Sequence, residues 1–95
     1  MPETALIGST DLTRKAGITY SRLEILARRG LIRPEWACGG PGYQRRWSPE
    51  AVPVARLAGR LAGAGLSLRA AEKVIRSGEF RCEIAPGIWI EVRDA

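Results

Sequence analysis

The stretch of sequence that decides the fold runs from Thr10 to Trp47 and reads TDLTRKAGITYSRLEILARRGLIRPEWACGGPGYQRRW. Apolar residues at helical spacing, interrupted by Gly17 and Gly30, predict two short helices joined by a tight turn. A glycine-rich loop follows, and the chain on either side of it can pair as a basic hairpin. This order is typical of a helix-turn-helix unit with a wing, here the hairpin of residues 32–47.

The ends of the first two helices carry capping residues. Ser9 or Thr10 is expected to cap the first helix, because a hydroxyl can accept from an unpaired backbone N–H. Gly17 is expected to end that helix in the left-handed conformation. Thr19 and Gly30 are expected to cap and end the second helix in the same way.

The rest of the chain predicts a second helix pair and a hairpin. Residues 48–50 (Ser-Pro-Glu) indicate the start of a third helix that extends to about residue 64. Ser67 and Gly78 bound a fourth helix, and period-two alternation around Pro86-Gly87 predicts a β-hairpin. We therefore expect a mainly α fold with a small β content. Residues 1–78 form its winged helix-turn-helix domain, and residues 79–95 form a C-terminal β-hairpin extension.

The charge of the chain is unevenly distributed. Residues 1–78 hold 13 Arg and Lys against 6 Asp and Glu, a net charge of +7, whereas residues 79–95 have a net charge of −2. Thirteen of the 15 cationic residues are Arg, whose planar guanidinium matches phosphate oxygens and guanine edges. A genome rich in G and C would favour Arg codons as well. The basic body still indicates a polyanion as ligand.

Several classes of function lack the residues they need. The sequence has no His and two cysteines far apart, Cys38 and Cys82, so it cannot supply His-based acid–base catalysis or a Cys/His zinc site within one chain. We expect no enzymatic activity, no cofactor and no metal. With no leader-like start and no apolar run near the roughly 18 residues of a membrane span, we expect a cytoplasmic, nucleoid-associated protein without membrane contact.

Two groups of polar residues are candidates for contact with DNA. Tyr20, Ser21 and Arg22 begin the second helix, the end that enters the major groove in this motif, although they would also suit a solvated helix face. Arg45 and Arg46 follow the glycine-rich loop and can track the phosphate backbone or enter the minor groove, with a plain charged hairpin as the alternative.

The positions of two further residues indicate their roles. Arg69, at the start of the fourth helix, can bind a phosphate together with the backbone amides there, or can simply be solvated. Trp47 is expected to close the wing as a core residue.

Four stretches of the chain resemble the MerR-type winged helix family. Residues 10–19 are similar to its first helix and turn, and residues 29–34 (RGLIRP) to the end of its recognition helix and the following strand. Residues 42–48 (GYQRRWS) resemble its wing, in the form found in small MerR-like regulators and phage excisionases, and residues 63–68 (GAGLSL) resemble the corner before its fourth helix. The resemblance covers roughly residues 7–77. The DNA-binding residues that it and the motif imply are Arg14, Thr19, Tyr20, Ser21, Arg22, Tyr43, Arg45, Arg46 and Arg69.

The chain also departs from this family. Where the recognition helix commonly carries an Arg and a pair of aromatics, this sequence has Glu24, Ile25 and Leu26. Glu24 places an anion toward the DNA unless it accepts from a cytosine amino group or pairs with Arg28. The family's sensors have a long dimerisation helix and an effector domain, whereas only residues 79–95 follow here, so ligand sensing is not expected.

These observations predict a sequence-specific double-stranded DNA-binding protein, a transcriptional regulator of MerR-like type. Its recognition helix would enter the major groove, and its wing would lie on the backbone or in the minor groove. A recombination directionality factor (excisionase) with the same fold and a protein-interaction module are the alternatives. The expected partners are DNA, a second copy in a homodimer or side by side on DNA, and RNA polymerase or an integrase.

The C-terminal hairpin has two possible packing partners. An isolated two-stranded hairpin is marginal in water, so it must pack on another surface. One surface is the chain's own fourth helix, through Phe80, Ile84, Ile88 and Ile90. The other is a second copy, and we expect dimerisation through Ile88, Trp89 and Ile90.

Overall fold

The computed structural model of the protein describes residues 5–37 and 45–93, so the predictions for Tyr43 and the glycine-rich tip of the wing lie outside the described residues. The four predicted helices and the C-terminal hairpin are confirmed. In chain order the elements are β1 (Ile7–Gly8), α1 (Ser9–Ala16), α2 (Tyr20–Arg28), β2 (Trp36–Ala37), β3 (Arg45–Trp47), α3 (Ala51–Gly63), α4 (Leu68–Ser77), β4 (Arg81–Ala85) and β5 (Ile88–Glu91).

The turn between α1 and α2 is capped as predicted, but the start of α1 is not. Gly17 ends α1 with a φ of 72°, and the Thr19 hydroxyl accepts from the Arg22 N–H at 3.1 Å. The expectation that Ser9 or Thr10 caps α1 is wrong, since the N-cap is Gly8 and no side chain caps this end. Ser9 Oγ instead accepts a hydrogen bond from Trp47 Nε1 at 2.9 Å, which ties α1 to the wing.

Strand β3 is the centre of a small antiparallel sheet. It pairs with β2, with Arg46 opposite Trp36, and on its other side with β1, with Trp47 opposite Ile7. Strand β1 has only two residues, which is too short a pattern to identify a paired strand from the sequence. The sheet holds the wing against the start of α1.

The main core lies where α1, α2, α3 and the sheet meet. Its largest fully buried side chain is Trp47, which confirms the core role predicted for this residue. Helix α3 contributes small residues to this core, with Ala55 fully buried. The close fit is visible at Gly59, where an added Cβ would lie 2.8 Å from Ile18 Cγ2 in the α1–α2 turn.

A second, smaller core joins α3 and α4 to the C-terminal hairpin. Leu61, Ala71 and Val74 are buried there, and the hairpin side chains that pack on them are Cys82, Ile84, Ile90 and Val92. Of the four residues named for packing on the fourth helix, Ile84 and Ile90 join this core, whereas Phe80 and Ile88 are 71% and 54% exposed and do not. Phe80 precedes β4, and Ile88 lies beside the Pro86-Gly87 turn and the register shift between Glu83 and Ala85.

Two long cationic side chains hold the hairpin by its backbone. Lys73 Nζ donates to the Ile84 carbonyl at 3.1 Å, and Arg60 Nη2 donates to the Arg93 carbonyl at 2.7 Å. Both ends of the hairpin are thus attached to the helix pair by contacts that do not involve the hairpin's own side chains.

Candidate nucleic-acid interface

The exposed side of α2 is the first part of the candidate interface. Leu23 and Leu26 face the core, and the helical period then turns Ser21 and Arg28 outward along one strip, where both are exposed. Arg22 lies on the flank of the helix and is half-buried. Arg28 was not among the predicted contacts, although its spacing of seven residues from Ser21 could have indicated it.

A polar cleft of about 400 Å³ opens beside this helix, between the start of α1 and the wing. Arg14 and Arg46 lie on it, together with the Tyr20 side chain at the start of α2. Gly8 leaves room for this arrangement, since a Cβ there would lie 3.2 Å from Arg46 Nη1. The residues that line the cleft are Gly8, Ser9, Thr10, Asp11, Arg14, Tyr20, Arg45 and Arg46.

The charge in this cleft suits an anion in spite of Asp11. Arg14 pairs with Asp11 at 2.7 Å, but both side chains are exposed, and an exposed pair of this kind contributes little free energy. Arg14 can therefore exchange this partner for a phosphate at small cost. The first N–H groups of α1, which have no side-chain cap, add the positive end of a helix dipole.

Arg45 does not occupy the exposed position expected of a wing arginine. It is 9% exposed, its guanidinium pairs with the Glu24 carboxylate, and its Nη2 donates to Tyr20 Oη at 3.0 Å. The guanidinium also lies 5.1 Å from the centre of the Trp47 ring. The pairing of Glu24 with Arg28 that the sequence suggested is not observed, because Glu24 turns toward the wing. Arg46, the next residue, is exposed.

Arg69 is exposed in the first turn of α4 and does not line the cleft. Glu72 and Arg76, further along the same helix, link α4 to the end of α2. Glu72 accepts from Arg29 at 3.0 Å and from Arg76 at 2.9 Å, and Arg76 also donates to the Arg29 carbonyl. The hydrogen bond from Arg76, followed by the one from Arg29, lowers the pKa of Glu72.

The residues predicted to bind a second copy lie in the hairpin and do not line the cleft. Trp89 is 56% exposed, and the Arg81 guanidinium lies 5.7 Å from its ring centre. Ile88 is exposed as well, but Ile90 packs on the second core and is only partly accessible. Of the three residues, Ile88 and Trp89 are thus the ones available for contact.

This combination of elements can be compared with known families. The family model described as MerR HTH family regulatory protein matches residues 9–78, from the start of α1 to the glycine after α4. The chain belongs to the MerR family. The resemblance that the sequence suggested is thereby confirmed, and the helices, the wing strands and the cleft all fall within the matched part or at its edge. Searches among curated proteins and among solved structures gave no match.

Membership of the MerR family indicates a general class of function. The family's HTH domains belong to DNA-binding transcription regulators, which in general are not enzymes. Within residues 5–37 and 45–93, no three His, Cys, Asp or Glu side chains group as a metal site would require. No helix in the same part of the chain has the length and apolar character needed to cross a membrane.

Proposed function

We propose that this MerR-family chain is a sequence-specific double-stranded DNA-binding regulator. The first turns of α2 would enter the major groove, and the wing would lie along the backbone or in the minor groove. The observation that carries the proposal is the cleft, because it brings the starts of α1 and α2 and the exposed Arg46 to one polar, cationic surface. A DNA duplex offers a groove that can accept the start of α2 and phosphates that can bind the cations beside it.

The residues divide into two roles on this surface. Arg14 and Arg46 are assigned to phosphates, because their flexible cationic side chains flank the cleft. Tyr20 and Ser21 are assigned to base edges, since they lie at the start of the recognition helix. Thr19 supports them as the cap of α2, and Arg22 contributes from the flank. Arg28 extends the same exposed strip by two turns, and Arg69 is assigned to a backbone phosphate further along the site.

Selection of bound DNA fragments, followed by binding measurements over a series of salt concentrations, tests this function. We expect a defined site and a log affinity that falls steeply with log salt, by roughly 0.9 in slope for each phosphate neutralised. Arg14→Ala and Arg46→Ala should each lower the slope by about that amount. Arg81→Ala, which removes the same charge from the hairpin, is the matched control and should leave it unchanged. A slope near zero for the parent protein would exclude the proposal.

The same selection distinguishes the biological roles that share this surface. Sites beside promoters support a transcriptional regulator that contacts RNA polymerase, and sites within an integrase attachment region support a recombination directionality factor. A chain that ignores every duplex at moderate salt would be a protein-interaction module instead. We favour the regulator, since this is the role of the family, and such a protein would act on the nucleoid in the cytoplasm.

Specific binding by so small a domain usually needs two copies on the site. We propose that the second copy is contacted through the hairpin, because Ile88 and Trp89 are exposed there. Point substitutions test this better than deletion of residues 79–95, since the deletion would uncover the second core. Ile88→Lys and Trp89→Lys should reduce self-association in sedimentation, whereas Phe80→Ser, a control at an even more exposed apolar residue of the same segment, should not. A parent protein that stays monomeric both at high concentration and on DNA would contradict the idea.

A further inference from the structure

We propose that Arg45 and Glu24 form a lock between the wing and α2, and that Arg45 aids DNA recognition by orienting α2 rather than by touching DNA. The lock consists of Arg45 on β3 and Glu24 and Tyr20 on α2. The inference rests on the proposed function, in which α2 is the recognition helix. It makes Arg45 a positioning residue and leaves the neighbouring Arg46 to contact DNA.

The geometry of the lock fixes α2 at two points. Tyr20 and Glu24 are four residues apart, so they lie on one face of the helix, one turn from each other. Arg45 engages both, through the ion pair with the Glu24 carboxylate and the 3.0 Å hydrogen bond to Tyr20 Oη. Two attachments one turn apart limit both rotation of α2 about its axis and its tilt toward the sheet.

The buried surroundings make this attachment selective for arginine. The Arg45 guanidinium lies 5.1 Å from the ring centre of the fully buried Trp47 and 5.8 Å from that of Tyr20, distances at which a cation is attracted by an aromatic face. The planar guanidinium can stack on these rings while its edge donates to Glu24 and Tyr20. A lysine offers a compact charge without such an edge, so it cannot reproduce all of these contacts.

The lock also removes the electrostatic disadvantage of Glu24. An anion on the recognition helix would repel phosphates, and this position departs from the family's usual residues. Arg45 provides a buried counter-charge to that carboxylate. The exposed cations Arg14, Arg28 and Arg46 then face the duplex, and α2 presents no unpaired carboxylate beside them.

The lock and direct DNA contact by Arg45 predict opposite effects at Glu24. If Arg45 bound DNA directly, Glu24→Ala would release its guanidinium and remove an anion, and binding would become tighter. If Arg45 orients α2 through Glu24, the same substitution frees the helix and weakens binding to the specific site. Binding to unrelated duplex depends on net charge rather than on orientation, so it would change little or improve slightly.

The experiment compares the parent with Arg45→Ala, Glu24→Ala, the double variant and the control Arg46→Ala, on the selected site and on an unrelated duplex across a salt series. We expect Arg45→Ala and Glu24→Ala each to weaken specific binding roughly ten- to a hundredfold, and the double variant to be no weaker than Arg45→Ala alone. Neither should change the slope with salt as Arg46→Ala does, by about 0.9. Arg45→Lys should restore only part of the loss.

Several outcomes would overturn the lock while leaving the proposed function intact. The first is a salt slope that falls in Arg45→Ala as much as in Arg46→Ala. The others are tighter binding to the specific site by Glu24→Ala, and specific binding by Arg45→Lys that equals the parent's. If Arg45→Ala does not fold, Arg45→Met and Glu24→Gln, which retain most of the side-chain shape, carry the same comparison. A parent protein that binds no duplex would instead exclude the proposed function itself.

Discussion

Replacement of Gly59 by Ala should destabilise the protein, although alanine is the better helix former. Gly59 lies within α3, and a Cβ added there would be 2.8 Å from Ile18 Cγ2. Carbon atoms in favourable contact are about 3.5–4.0 Å apart, so the new methyl group overlaps its neighbour substantially. Ile18 is β-branched and stiff at χ1, and it lies in the turn that sets the start of α2, so it cannot yield without cost.

The size of the effect follows from two opposing terms. Alanine gains about 1 kcal/mol over glycine in a helix interior, and inserting a methyl group into a packed site costs roughly 1–3 kcal/mol. The net change for Gly59→Ala is therefore a loss of about 0–2 kcal/mol in the free energy of unfolding. Gly63 provides the matched control, because it belongs to the same helix and an added Cβ there meets nothing within 4 Å. Gly63→Ala should be neutral or stabilising by up to about 1 kcal/mol.

Urea unfolding followed by circular dichroism measures both changes, provided the transition is two-state. The decisive comparison uses Ile18→Ala, which removes the Cγ2 atom that the new methyl would strike. In that background Gly59→Ala should become neutral or stabilising, so the two substitutions should not be additive. The explanation is wrong if Gly59→Ala stabilises the parent as much as Gly63→Ala does. It is also wrong if Gly59→Ala lowers the free energy of unfolding by the same amount in the Ile18→Ala background as in the parent.

Three further predictions concern caps, buried hydrogen bonds and acid sensitivity. Thr19→Ala should lower the free energy of unfolding by roughly 0.5–2 kcal/mol because it removes the cap of α2, whereas Thr10→Ala, at a position that is not a cap, should change it by less than about 0.5 kcal/mol in urea unfolding. Ser9→Ala should cost about 1–3 kcal/mol because Trp47 Nε1 loses its acceptor, and most of that cost should vanish in a Trp47→Phe background. The pKa of Glu72 is lowered in the folded protein, so its contribution to stability is present above the ordinary glutamate pKa and disappears as the pH falls through the lowered value. The thermal midpoints of the parent and Glu72→Gln should accordingly differ at neutral pH and converge in acid, and a gap that persists at the lowest pH would contradict this.

Most of the fold could be predicted because its signals are local. Thr19, Ser67 and Gly78 mark helix ends through their own backbone and side-chain chemistry, and alternation around Pro86-Gly87 marks the hairpin. The misassigned cap of α1 shows the limit of this reasoning. Ser9 has the right side chain for a cap, but the distant Trp47 uses it as a hydrogen-bond acceptor instead.

The candidate site was harder to predict because neighbouring residues in a strand point to opposite faces. Arg45 and Arg46 look equivalent in sequence, yet the pleat of β3 buries one and exposes the other. The sequence gives no sign of which face meets α2, since that depends on how the sheet packs. For the same reason, the sequence offers Glu24 only DNA or Arg28 on its own helix as partners, whereas the observed partner, Arg45, lies 21 residues away.

The attachment of the hairpin has a consequence for how this protein can evolve. Lys73 and Arg60 bind carbonyl groups of the hairpin's main chain, and every residue type supplies a carbonyl. The outward positions, such as Arg81, Glu83, Trp89 and Glu91, can therefore change without detaching the hairpin from the helices. A chain that keeps these two donors can present a different outer face on the same attachment, so the hairpin surface can diversify while the helix-turn-helix half stays constant.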